Sequence, residues 1–171
     1  MLHDKASGRW HMFVSIFEEH CGLAEWQPNS AIARASCDTP GGTYTLDEVL
    51  IHNFAHSAEA HTAPDGTVFV FNIYNSSAST CTNCSGGVSG FGPGCSGWLA
   101  GTHFYGYWGA LHAPSVAGPW TTVRLGSCDP AATDYVPGCQ QNGNDLNPTG
   151  VLDSVSGEVT LLWRRYDGCG S

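Results

Sequence analysis

Ser7-Gly8-Arg9-Trp10-His11-Met12-Phe13-Val14 returns in kind as Asp65-Gly66-Thr67-Val68-Phe69-Val70-Phe71 and as Ser156-Gly157-Glu158-Val159-Thr160-Leu161-Leu162-Trp163. Each begins with Ser-Gly or Asp-Gly, a hairpin signal because glycine accepts positive φ. Each then runs into β-branched and aromatic residues, which read as a strand buried on both faces. A second pattern follows the first: Ile32-Ala33-Arg34-Ala35 leads to Gly41-Gly42-Thr43-Tyr44, and Ala110-Leu111-His112-Ala113 leads to Gly118-Pro119-Trp120. A third precedes the hairpins: His56-Ser57-Ala58-Glu59 before Asp65-Gly66, and Leu146-Asn147-Pro148-Thr149 before Ser156-Gly157.

In order, the chain reads as strands two to four of one unit, all four of a second, and the first two of a third. The expected divisions are 1–50, 51–126 and 127–171, within a single incomplete domain. An open series of four-stranded units predicts an all-β fold of the β-propeller type, partial in extent. Hairpin glycines stand 58 residues apart from Gly8 to Gly66 and 91 apart from Gly66 to Gly157. The excess falls in 75–101, where 16 of 27 residues are Ser, Gly or Cys. That composition predicts a disulfide-pinned insertion between the second and third strands of the middle unit, since ordinary loops are shorter.

The chain has 171 residues and a formal net charge of −9, with one lysine and no charged residue from Gly66 to Val123. This balance argues against a phosphate-tracking nucleic-acid binder, and no apolar run is long enough to span a bilayer. Eight cysteines, at 21, 37, 81, 84, 95, 128, 139 and 169, predict up to four disulfides and an extracellular, oxidising compartment. A zinc knuckle on Cys81, Cys84, Cys95 and His103 is the rival reading; no second CxxC follows to support it. The sequon at Asn75 agrees with secretion; the one at Asn83 contains Cys84. The chain starts on a strand without a signal peptide and stops soon after another, so the expectation is an internal piece of a longer secreted protein.

The hairpin strand Ser7–Phe13, the segment Asn29-Ser30-Ala31-Ile32-Ala33-Arg34-Ala35, the Gly-Pro-aromatic turn and the Asn147-Pro148 opening together resemble the five-bladed β-propeller glycoside hydrolases of family 43 and their eukaryotic relatives. The resemblance covers the chain outside the insertion. It implies about two of five blades, a sugar site on the propeller axis, and two acidic residues from first strands of different blades. One carboxyl protonates the leaving oxygen and the other activates water. It implies no cofactor; a structural metal such as calcium on the axis is compatible with it. The partner implied is a carbohydrate, with neither nucleic acid nor membrane involved. Departures are visible: Ser57 stands where the resemblance places an aspartate, Asn147 is an amide, and the blade that would bring the other aspartate lies before Met1.

Asp145, just before an innermost strand, and Glu59, two residues beyond Ser57, are the candidate catalytic carboxylates. Their bland readings are an Asx turn and a solvated or His-paired acid. His56, Asn147, Trp26, Asn29 and Arg165 are candidate sugar contacts, through imidazole, amide, aromatic stacking and guanidinium. Trp10, Phe13, Phe69, Phe71, Trp120 and Trp163 are expected to pack blade on blade. The expected function is hydrolysis of glycosidic bonds in extracellular, pentose-containing polysaccharide. A catalytically silent carbohydrate-binding propeller and a disulfide-rich protein-binding surface protein are the alternatives.

Overall fold

Ten β-strands run through the described residues: β1 (Leu2–His3), β2 (Trp10–Phe17), β3 (Ser30–Cys37), β4 (Thr45–Ile51), β5 (Ala55–Thr62), β6 (Val68–Tyr74), β7 (Tyr107–Ala113), β8 (Thr121–Ser127), β9 (Leu146–Leu152) and β10 (Val159–Arg164). The structure, a computed structural model, describes residues 1–18, 29–52, 55–74, 107–127, 130–137, 146–153, 155–156 and 158–164. The strands form three antiparallel sheets, β1-β2-β3-β4, β5-β6-β7-β8 and β10-β9. The protein is all-β. The first sheet has one strand more than the sequence reading gave, because Leu2 and His3 pair with His11 and Trp10. The segment expected to be an insertion, 75–101, follows β6 and precedes β7 in the chain and lies outside the described residues.

The repeated turns are closed by aspartates and by left-handed glycines. Gly8 and Gly66 have φ of 74° and 92°. The first turn is shut by the Asp4 amide donating to the Arg9 carbonyl at 2.8 Å, and the last by the Asp153 amide donating to Glu158 at 2.8 Å. The carboxylate of Asp153 accepts the amides of Ser156 and Val155, and those bonds hold it below its ordinary pKa. The Ser7 hydroxyl and then the Ala6 amide do the same for Asp4, and the Thr67 amide for Asp65. Charge-assisted bonds from turn amides favour the ionised acid.

Apart from the buried Asn72, β6 is apolar on both sides, and each side has a neighbour to cover it. Val68 and Val70 join Phe13, Ile32, Ile51, Ala55, Leu111 and Val116 in the core between the first two sheets. Trp120 meets Phe13 edge-on at 5.5 Å. On the other side Phe71 is seated on Gly150 of β9: a Cβ at that glycine would lie 2.1 Å from Phe71 Cζ. Trp108, Val136 and Leu161 make a second, smaller cluster. Of the expected packing aromatics, Phe13 and Phe71 are buried, and Trp10 stacks near His3. The side chain of Trp163 is outside the described residues. Much of the core comes instead from Ile32, Val70 and Leu111, aliphatics of the second and third strands.

Cys37, the cysteine within the described residues, carries no disulfide. The expectation of up to four bridges therefore loses one of its members; the other seven cysteines lie outside the described residues.

Gly150→Ala is expected to destabilise by about 1–3 kcal/mol, since the added methyl has no room beneath the Phe71 ring. Phe71→Leu should cost less in the Gly150→Ala background than in the wild type. A double-mutant cycle by denaturant unfolding checks that coupling.

Candidate functional site

The ends of four strands meet where β5 begins. Ser15 lies near the end of β2, Ser30 starts β3, and His56 and Ser57 follow the first residue of β5. The His56 ring nitrogen Nδ1 is 2.9 Å from the Ser30 hydroxyl. Ser57 has φ of +60°, an unfavourable region for a residue with a Cβ. Its amide donates to Ser15 Oγ at 2.9 Å, so β5 is tied to β2 and β3 by hydroxyls at this point. Just beyond, the Glu18 amide donates to the Asn29 carbonyl at 3.1 Å, and the Glu18 carboxylate meets His52 Nδ1 at the end of β4.

The strain at Ser57 has a visible cause. From His56 to Glu59 β5 advances three residues while β6 advances only from Ile73 to Phe71. One residue is surplus, a β-bulge, and such bulges re-aim the strand that carries them. Simple alternation would put Ser57 and Glu59 on one face; the bulge breaks that alternation. Glu59 is set opposite Phe71, half exposed and paired with His61 Nε2 at 3.3 Å. His61 in turn stands edge-on to Phe71 at 5.8 Å. Burial lowers the pKa of His56, which keeps its imidazole neutral near pH 7.

β9 arrives beside β5 with the same end first. Leu152 and Asp153, at its far end, line a cavity of about 300 Å³ with Ala63, Pro64 and Asp65 from the far end of β5. The beginnings of both strands therefore share the opposite end, which places Asn147 near the start of β9 on the His56 side. Pro148 beside it is fully buried. The structure thus brings His56 and Asn29 to one end of the sheets, with Asn147 at the start of the adjoining strand. It sets Glu59 apart in an ion pair with His61. Asp145, Trp26 and Arg165 lie outside the described residues.

Arg34 is engaged structurally, with Asp47, Glu48 and the Val116 carbonyl as partners. Ser15 and Ser30 were not singled out in the sequence; a lone serine inside the apolar run of β2 is the signal that Ser15 offered. Among the described residues no group of three or more His, Cys, Asp or Glu side chains is placed to hold a metal ion. No helix among them is long and apolar enough to cross a membrane. No family model, curated protein or solved structure matches the chain.

Two outcomes are expected. Ser57→Gly should raise stability by about 0.5–1 kcal/mol, because relief of positive-φ strain outweighs the larger unfolded-state entropy of glycine; Ser57→Val should lower it. Because the folded pKa of His56 lies below the ordinary value of 6.5, its contribution is fully present above that pH. It is lost as the pH falls through the folded value. Denaturant midpoints of wild type and His56→Gln, compared from pH 7.5 to 5, should converge toward acid.

Proposed function

We propose that this chain is part of an extracellular β-propeller that binds neutral carbohydrate without hydrolysing it, at the end of the sheets where β5 begins. The observation that carries the reading is the opening of β5 itself. A neutral His56 sits on the Ser30 hydroxyl, and a strained serine stands where the resembled hydrolases set an aspartate. Neutral imidazole and serine hydroxyl each both donate and accept, as sugar hydroxyls do. Asn147 adds an amide of the same character, with Trp26 a stacking surface and Arg165 a further contact in this reading; Asn29, expected as a contact, is fully buried and stands behind the site instead. Successive four-stranded antiparallel meanders, with β5 packed on the first sheet and β9 on the second, support the propeller architecture of the five-bladed type.

A second reading, hydrolysis by an acid/base pair that includes Asp145 and Glu59, is favoured by one observation. Asp145 immediately precedes β9, whose start shares its end of the sheets with His56.

The test uses the whole chain with neutral pentose- and hexose-based polysaccharides for binding, and aryl-pentosides for turnover. Binding without turnover is expected. It should be weakened about fivefold to tenfold in Ser57→Gly, the equivalent of one lost hydrogen bond, and unchanged in Asp145→Asn. Turnover abolished by Asp145→Asn would replace the binding reading with the hydrolase. Neither binding nor turnover would remove both.

A further inference from the structure

At the other end of the first two sheets, Arg34 on β3 reaches across the interface. Its Nη1 donates to the carbonyl of Val116, in the turn between β7 and β8. Its Nε donates to Asp47 Oδ2 at 3.3 Å and its Nη2 to Glu48 Oε2 at 3.5 Å. Asp47 is committed on its other oxygen as well, to the Ser36 hydroxyl at 2.8 Å. Val116 itself is part of the core between the sheets. This guanidinium is therefore a polar tie between β3 and the second sheet.

His11 lies against that tie. Its side chain is buried, with 7 % of the residue exposed, and neither ring nitrogen has a hydrogen-bond partner among the described residues. The charged groups around it are Arg34 from β3, Asp47 from β4, and Asp4 and Arg9 from the connection between β1 and β2; residues 114–117 of the facing turn carry no charge. The nearest ion-pair partner is Asp47 Oδ2, at 3.8 Å from Nδ1, the same oxygen that holds Arg34.

An imidazolium in this position has two N–H groups to satisfy and a guanidinium beside it. To bond it, the Asp47 carboxylate must move toward His11 from its 3.8 Å separation, which draws it off its 3.3 Å contact with Arg34, while the imidazolium repels the guanidinium beside it. Protonation of His11 therefore weakens the tie, which makes the pair an element with two favoured arrangements. We propose that His11 and Arg34 form an acid-sensitive latch between the first two sheets, closed while His11 is neutral and released from the β7–β8 turn when it takes up a proton. Burial, and next the Arg34 charge, hold the His11 pKa below its ordinary value, against the opposing pull of Asp47 and Asp4. The direction agrees with a closed state that excludes the proton. The latch is closed above about pH 6.5 and opens as the pH falls through the folded pKa.

Hydrogen exchange of the whole chain, followed from pH 7.5 to 5 and corrected for intrinsic exchange, reads the latch directly. In the wild type, protection of residues 114–120 is expected to fall by up to about tenfold per pH unit once opening is linked to one proton. His11→Phe, an aromatic ring that does not titrate, should abolish that dependence while leaving the part contributed by His56. Arg34→Met should expose the same residues to exchange already at pH 7.5, with no acid response beyond the part contributed by His56. Equal acid responses in wild type and His11→Phe, or a flat response in the wild type, would overturn the proposal. Should His11→Phe fail to fold, nuclear magnetic resonance titration of His11 in the wild type decides: a ring pKa at or above 6.5 sinks the latch.

Discussion

With Val68 and Val70 on one side of β6 and Phe71 on the other, this strand at the centre of the middle sheet has no face left for water. It needs a neighbour on each side. The first sheet covers the valines through Phe13, Ile32 and Ile51, and β9 covers Phe71 by offering a glycine where any side chain would collide. Antiparallel sheets often keep one wet face; a strand apolar on both sides removes that option and forces the sheets to stack in sequence. Burying a side chain such as Phe71 contributes about 1.5–3 kcal/mol, so the stacking is strongly favoured over leaving either face open.

That stacking accounts for how the candidate site is assembled. The first strand of the middle sheet must run beside β2 and β3 while holding its register with β6. The bulge between His56 and Glu59 reconciles the two demands, and its cost is concentrated at Ser57 in a backbone conformation that serine disfavours. The Ser15 hydroxyl secures the Ser57 amide, and Ser30 secures the His56 ring. A strained residue held by its neighbours is pre-organised: its groups need little further ordering to meet a ligand.

Strand order was legible in the sequence because it rests on local chemistry. Gly8 and Gly66 need positive φ, and the runs after them have nowhere polar to face; the hairpins therefore appear where the sequence puts them. The site was less legible. Alternation is the rule by which one reads which way Glu59 points, and a bulge is a departure from alternation with no residue signature of its own; here it falls on Ser-Ala, without a glycine. The partnerships of Ser57 with Ser15 and of His56 with Ser30 join three strands at separations of 42 and 26 residues, which no local pattern encodes. His11 likewise read as one position in a hairpin strand, and only the arrival of Arg34 and Asp47 from β3 and β4 gives it an electrostatic setting.

The rung that crosses the middle sheet at its His56 end runs Ala55, Tyr74, Tyr107, Ser127. The chain leaves that rung at Tyr74 and rejoins it at Tyr107 on the adjacent strand, so the intervening residues depart from and return to points about 5 Å apart. Geometrically the sheet is a socket: it asks nothing of the length of what is plugged into it, since closing a longer excursion costs little more than closing a short one. The socket opens on the same edge as His56 and Ser57. Lengthening, shortening or exchanging the cysteine-rich excursion thus changes the surroundings of that edge while the hydrogen-bond ladder behind it stays as it is.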